Sequence, residues 1–324
     1  MLDDDLKEEA EAFNKRISDR VGQGFIPDLR RAKKTEYFYK SFWRDPHFID
    51  LYLGEQIRIF LEILDKHCTK KVRILDVGCG AGYMSLELAR HGYDVTAIDI
   101  SDECIAIANQ MLAENTYQEG FGRLSYHVKS FEDIDVPEEP LFDVVLFSVS
   151  LHHMRDVDSV IKKCYQLLPD EGVLFVHEPC HEKFTDRDAA QVFLIRSILS
   201  ITGNWFESDA YDHTLENKSA MLSEVQDTRL EYFHERDKNE PEGQSPHDLE
   251  ASGEEMLNAM RSCFDELEFR KSTSFIYRLL GGLRGDEQTI RKLADLFAHY
   301  DRMSVEQGFM NENFFYFLGR KKQA

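Results

Sequence analysis

Three glycines spaced two apart, flanked by carboxylates, are the part of this 324-residue chain best suited to hold a small charged ligand. The run is Ile74-Leu75-Asp76-Val77-Gly78-Cys79-Gly80-Ala81-Gly82. An apolar stretch leads into Asp76, and the glycines after it let the backbone turn sharply and approach a ligand closely. A second acid, Asp99, lies 17 positions beyond Gly82 at the end of another apolar stretch. A carboxylate there can accept two hydrogen bonds from a ribose diol. Dinucleotide folds space their glycines G-x-G-x-x-G and set a pyrophosphate on the helix that follows. Here the spacing is G-x-G-x-G, and Asp76 stands two residues before the first glycine, an awkward place for a pyrophosphate. An acid at that point suits a ligand with an ammonium and a sulfonium.

S-adenosylmethionine has both groups. Methyl transfer from a sulfonium is an in-line displacement with a neutral leaving group. The protein's main task is then to hold the acceptor in near-attack geometry and exclude water. A hydroxyl acceptor also needs a base. His152 and His153 are the candidates, because histidine takes a proton near neutral pH and the pair follows a predicted strand. The alternative is that one of them packs or bonds backbone. His177 and His181 follow the next predicted strand and are expected to face the same pocket. With Glu178 and Pro179 they spell H-E-x-x-H, which binds zinc only on a helix, where positions four apart share a face. Pro179 opposes a helix through the motif, so no metal is expected. Tyr37, Tyr39, Trp43 and Arg44 belong to an aromatic segment, residues 37–60, that could shape an acceptor pocket. The competing reading is that Phe42, Trp43, Phe48 and Tyr52 pack helices onto the rest of the chain.

These residues must be positioned by alternating elements. Val72 to Val77, Asp94 to Ile100, Leu124 to Val128, Phe142 to Phe147 and Val173 to Glu178 read as buried strands. Helices fit between them at Met84–Arg90, Asp102–Asn115, with Ser101 as N-cap, and Asp156–Leu168, which Pro169 stops. Repeated units of this kind imply a parallel sheet covered on both faces. Ahead of it, residues 3–20 read as a charged helix, and residues 36–64 as helices that Pro46 separates. After it the rhythm breaks. Helical stretches at 187–201 and 215–236 precede a polar loop, Lys238 to Gly253. Strands return at 267–277 and 313–320 around a helix at 286–301. The expected division is a helical extension (1–69), a ligand-binding core (70–178), an inserted lid (179–262) and a completion of the core sheet (263–324).

Composition narrows the function. The formal net charge of −21 repels phosphate backbones, so nucleic acid is a poor partner. Six scattered cysteines without a CxxC pair read as reduced thiols. The acidic opening lacks the regions of a signal peptide, and no apolar run reaches membrane-spanning length. A cytoplasmic protein, off the membrane, is expected. The apolar positions at 189–201 suit lid core or a homodimer face.

The motif Asp76-Val77-Gly78-Cys79-Gly80-Ala81-Gly82 with Asp99 resembles the class I S-adenosylmethionine-dependent methyltransferases over roughly residues 70–180. The resemblance implies a Rossmann-like α/β fold with a mostly parallel seven-stranded sheet, helices on both faces, an N-terminal helical extension and an inserted lid. It also implies that Asp76, Gly78, Gly80 and Gly82 line the methionine part of the cofactor, that Asp99 binds the ribose and that Ile100 packs on adenine. Ser130 stands where the family often has an acid for the adenine amine, followed by Phe131, and Ser148 follows the fourth strand at the cofactor edge. The expected reaction is methylation of a small molecule at oxygen or nitrogen. The alternatives are a protein methyltransferase, a cofactor-binding module without transfer, and a nicotinamide-dependent oxidoreductase, which the glycine spacing disfavours.

Overall fold

The computed structural model describes residues 4–38, 40–69, 72–234 and 251–323. Helix α1 (Asp4–Gly22) comes first. Asp45 accepts the His47 amide at 2.9 Å and caps α2 (Pro46–Ile49), with Pro46 at a position where its missing N–H costs nothing. A π-helical turn (Asp50–Gly54) carries the chain into α3 (Glu55–His67). The alternating units then appear in order: β1 (Arg73–Val77), α4 (Tyr83–Arg90), β2 (Asp94–Asp99), α5 (Asp102–Ala113), β3 (Leu124–Val128), β4 (Val144–Ser148), α6 (Val157–Leu167) and β5 (Val173–Pro179). After these come α7 (Asp186–Ile201), α8 (Lys218–His234), α9 (Gly253–Cys263), β6 (Phe264–Lys271), α10 (Glu287–Glu306) and β7 (Phe314–Lys321).

The seven strands form one sheet in the order β3-β2-β1-β4-β5-β7-β6. The first five are parallel; β7 runs antiparallel to β5 and to β6. Strand side chains alternate between the faces. Leu75, Val77, Val145, Phe147, Leu174 and Val176 pack against α6 and α9. Ile74, Val95, Val144, Leu146, Val173 and Phe175 pack against α3, α4 and α5. Phe147 and Phe175 are fully buried, and truncating either to alanine costs roughly 3–5 kcal/mol.

A third cluster, away from the sheet faces, joins Phe48, Tyr52, Val192, Tyr232, Leu280 and Phe314. It is the core of a cap built from α2, α7, α8, residues 275–283 and α10. Two expectations shift here. Helix α9, expected in the lid, belongs with the sheet, since Met256, Leu257, Ala259 and Met260 bury into the α6 face. The strand expected to reach residue 277 ends at Lys271. The buried Asp301 carboxylate takes the amides of Ser274, Phe275 and Ile276 at 2.7–3.2 Å, which turns the chain out of the sheet and toward the cap.

Strand order reverses between β1 and β4, and the crevice outside their carboxyl ends is where such sheets bind ligands.

Candidate functional site

A cavity of about 340 Å³ opens at that crevice. Its floor is the turn between β1 and α4. Gly78 has φ +71°, and a Cβ there would lie 2.5 Å from the Ser150 Cβ, so glycine is demanded by conformation and by packing. Gly80 has φ +52°, and nothing stands within 4 Å of the place its Cβ would occupy. That open cradle faces the Asp99 side chain, which accepts the Gly80 amide at 2.7 Å and the Ser101 amide at 2.8 Å. Burial raises the Asp99 pKa against the pull of those two amides. Asp76, on β1, is buried and bonded to the Ser85 hydroxyl. Desolvation, with Asp99 nearby adding to it, pushes its pKa up to about 7.

Asp76, Gly78, Gly80, Asp99, Ile100, Ser130, Phe131 and Ser148 all line this cavity. Ser130 caps the short turn Phe131–Asp133 by accepting the Glu132 amide at 3.2 Å, and Phe131 and Ile100 both line the cavity wall. Ser148 Oγ is buried without a hydrogen-bond partner. Gly82 is the exception. A Cβ there would strike the Tyr126 ring and hydroxyl at 2.6–2.7 Å, so Gly82 serves packing and does not line the cavity.

The roof is α1. Phe13, Ile17 and Arg20, on one face of the helix, line the cavity. Asn14 anchors the helix: it accepts the Ser101 hydroxyl at 2.6 Å and donates to Asp102 at 2.7 Å. Charge alone predicts a solvated helix here, with no part in a site. The signal for a roof lies in the apolar positions 6, 10, 13 and 17, whose helical spacing needs a surface to cover.

His152 and His153 also line this cavity. The parallel register places Ser148 opposite His177, so Glu178 falls beside the turn that follows β4. Glu178 Oε1 accepts the amides of Ser150 and Leu151, each at 2.7 Å, and Oε2 lies 2.6 Å from His152 Nδ1. Burial opposes ionisation of Glu178, but His152 and the two amides together hold its pKa below the ordinary carboxylate value. His153 Nδ1 lies 3.3 Å from Glu9 on α1, and its ring meets Phe13 edge-on.

A second cavity, about 520 Å³, lies on the cap side. The two share a wall made by Arg16, Arg20, Phe42, Trp43, Tyr83 and Val149. Val149 is a β-branched residue with positive φ, a strained conformation that natural chains rarely hold away from functional sites. Its amide donates to the His177 carbonyl at 2.8 Å. No sequence signal marks such a residue, because left-handed backbone at valine is not a propensity. Neither histidine of the 152–153 pair reaches this second cavity.

Other expected substrate residues lie elsewhere. Arg44 is buried, donates to the Leu283 carbonyl at 2.6 Å and lies over Phe48; it lines neither cavity. His177 and His181, expected in the pocket, sit instead in the core, because β5 is covered on both faces. His177 stacks on Tyr316 and Phe314 with neither ring nitrogen bonded, and burial lowers its pKa to about 4. His181 is held by Asn313 at 2.8 Å. Tyr39 lies outside the described residues, as does the side chain of Tyr37. Among the described residues, no group of three or more His, Cys, Asp or Glu could hold a metal ion, and no helix is long and apolar enough to cross a membrane.

The fold is Rossmann-like, with its cavity at the switch point of the sheet. Residues 75–176 match the family described as methyltransferase domain. The chain is 33% identical over 161 residues to a ubiquinone biosynthesis O-methyltransferase of Xylella fastidiosa (strain 9a5c), an alignment covering 49% of this chain and 61% of the relative. The chain thus spans about three fifths of that relative's length. Two solved structures share the fold. The [4+2]-cyclase SpnF aligns with a TM-score of 0.50 at 16% identity, over 98% of this chain and 96% of the other. A geranyl diphosphate C-methyltransferase from Streptomyces coelicolor A3(2), in complex with Mg2+, geranyl diphosphate and S-adenosyl-L-homocysteine, aligns with a TM-score of 0.50 at 12% identity, over 99% and 100%.

Proposed function

We propose that this protein transfers a methyl group from S-adenosylmethionine to a small-molecule acceptor, at oxygen or nitrogen, held in the cap cavity. The observation that carries the reading is the shared wall. A cavity floored by the glycine turn and Asp99 meets a second cavity of comparable size across Trp43, Tyr83 and Val149. When bound, S-adenosylmethionine supplies an electrophilic methyl group.

The chain's own residues would do the rest. Asp99 would take the ribose hydroxyls, Ile100 and Phe131 would sandwich the adenine, and Ser130 would bond its edge. Asp76, Gly78, Gly80 and the unpartnered Ser148 hydroxyl would hold the methionine part. The α1 roof and the cap would exclude water. Glu178 fixes the His152 ring and the Ser150–Leu151 turn against the cofactor cavity. Because His152 and His153 face that cavity alone, they would act as positioning groups there, not as proton acceptors for a substrate in the cap. The relative's name, an O-methyltransferase, favours an oxygen acceptor.

Calorimetric titration with S-adenosylmethionine tests the first half: micromolar binding that Asp99→Ala weakens by about 100-fold supports it, and no binding at millimolar ligand ends it. SpnF, described as a cyclase, favours a second reading, in which the cofactor fold serves without methyl transfer. Absence of S-adenosylhomocysteine release across an acceptor library would favour that reading. We further propose a cytoplasmic homodimer meeting through the exposed α7 stripe Leu194, Ile198 and Ile201. Monomeric sedimentation at high micromolar concentration would contradict the dimer.

A further inference from the structure

We infer that Gln56 and Thr228 orient the acceptor: they take an uncharged polar substituent, a hydroxyl above all, on an otherwise apolar molecule. The inference rests on the cap cavity being the acceptor site, and it deepens that reading by naming what the site selects.

Gln56 is the polar member of an apolar face. Helix α3 buries Gln56, Ile57, Phe60, Ile63 and Leu64, so hydrophobic residues fill the rest of that stripe. On α8 the buried residues are Thr228 and Tyr232, one turn apart. Gln56 and Thr228 are each 3% exposed, and both line the cap cavity. Among the described residues neither side chain has a hydrogen-bond partner. Buried amides and hydroxyls are rarely left so, because an unpaired group bears its full desolvation cost. Neither is sealed in protein as the ring nitrogens of His177 are. The open space they meet is the cavity, and a ligand there would complete them.

Their charged neighbours on α8 are engaged within the chain. Glu231, three residues beyond Thr228, accepts Arg196 at 2.7 and 3.0 Å and Arg278 Nε at 3.1 Å. Glu224, one turn before Thr228, lies 3.3 Å from His213. An amide both donates and accepts, and so does a hydroxyl, which makes the two complementary. Neither Gln56 nor Thr228 lines the first cavity. The substituent they hold is therefore a different group from the one that receives the methyl at the shared wall. Trp205, Tyr277 and Phe314 line the same cavity and offer a surface for the apolar body. Trp205 lies against the Gly282 backbone, where a Cβ would come within 2.2 Å of its ring, so that surface is set before a ligand arrives.

Two probes of similar shape test the inference, 2-naphthol and 2-methylnaphthalene, each dialysed to equilibrium against the full chain and read by naphthalene fluorescence. 2-Naphthol should bind about tenfold more tightly, against the order that apolar burial alone would give. That preference should vanish or reverse in Gln56→Leu, narrow in Thr228→Val and persist in Thr228→Ser, which keeps the hydroxyl. A change that only loosened packing would weaken both probes together and leave their ratio alone. A parallel titration with S-adenosylhomocysteine reads the other cavity by itself. If that ligand fails to bind while the hydroxyl preference holds, the methyl-donor reading falls and the polar site stands. Equal or tighter binding of 2-methylnaphthalene by the wild type, no binding of either probe, or a preference unchanged in both Gln56→Leu and Thr228→Val overturns the inference.

Discussion

The two cavities meet on one wall and are built in opposite ways. The first sits on the edge of a parallel sheet, and nearly all its floor comes from turns that follow β1, β2, β3 and β4. The second is assembled from pieces near both ends of the chain, from Arg16 on α1 to Phe314 on β7, with charges and aromatic rings interleaved. Backbone geometry shapes the first; long side chains shape the second. A repeated local motif can thus specify the first cavity, while the second depends on tertiary contacts that leave no local trace.

Damaging one cavity and reading both separates them most clearly. Asp99→Ala removes the acceptor of the Gly80 and Ser101 amides and should lower S-adenosylhomocysteine affinity by about 100-fold, or roughly 3 kcal/mol. Equilibrium dialysis of the same variant should find 2-naphthol binding unchanged; a parallel loss would mean that the cavities are not independent.

Next in size is Glu178→Gln, which takes a buried charge from two amides and an imidazole. It should cost about 2–3 kcal/mol of stability at pH 7. The sign of its pH dependence follows from a depressed folded pKa. The contribution is full above the unfolded value, about 4.3, and is lost as pH falls through the lower folded value. Urea midpoints of wild type and variant should therefore converge on acidification from pH 7 toward pH 3.

Gly78→Ala meets both a left-handed backbone and the Ser150 side chain. Backbone strain of that kind costs about 1–3 kcal/mol, and urea unfolding of the variant should show a loss in that range. Gly80→Ala, with open space around it, should cost about 1 kcal/mol in urea unfolding yet impair cofactor binding more than Gly78→Ala does per unit of stability lost.

His177 gives a pH signature of its own. Its folded pKa of about 4 lies below the unfolded value near 6.5, so the wild type should lose stability as pH falls through that interval and level off below it. His177→Phe keeps the stack on Phe314 and Tyr316 and should flatten that slope in pH-dependent urea unfolding.

Much of the fold was legible because its information is local. The strand at Leu124–Val128 ends where the apolar pattern ends, and Ser101, Asp156 and Pro169 mark their helix boundaries through capping and a missing amide. The floor of the first cavity was legible for the same reason, since glycine spacing is a backbone property. Where sequence and structure part, a distant partner decided. Asp301, on α10, draws the chain out of the sheet just after β6. Tyr126 occupies the space that would have made Gly82 a cavity residue. His177 lies within β5 and His181 just after it, and β7, pairing on the outer side of β5, encloses them in aromatic core. Val149 and the Arg196–Glu231–Arg278 trio were invisible, because strain and convergence exist only in the folded chain.

A crystal structure of the protein with S-adenosylhomocysteine bound would decide most directly whether the two cavities divide the work in this way. The ribose hydroxyls should lie on Asp99 and the sulfur at the wall formed by Trp43, Tyr83 and Val149, with the cap cavity left open beyond it. A ligand bound elsewhere, or one whose sulfur faces away from that wall, would contradict the division.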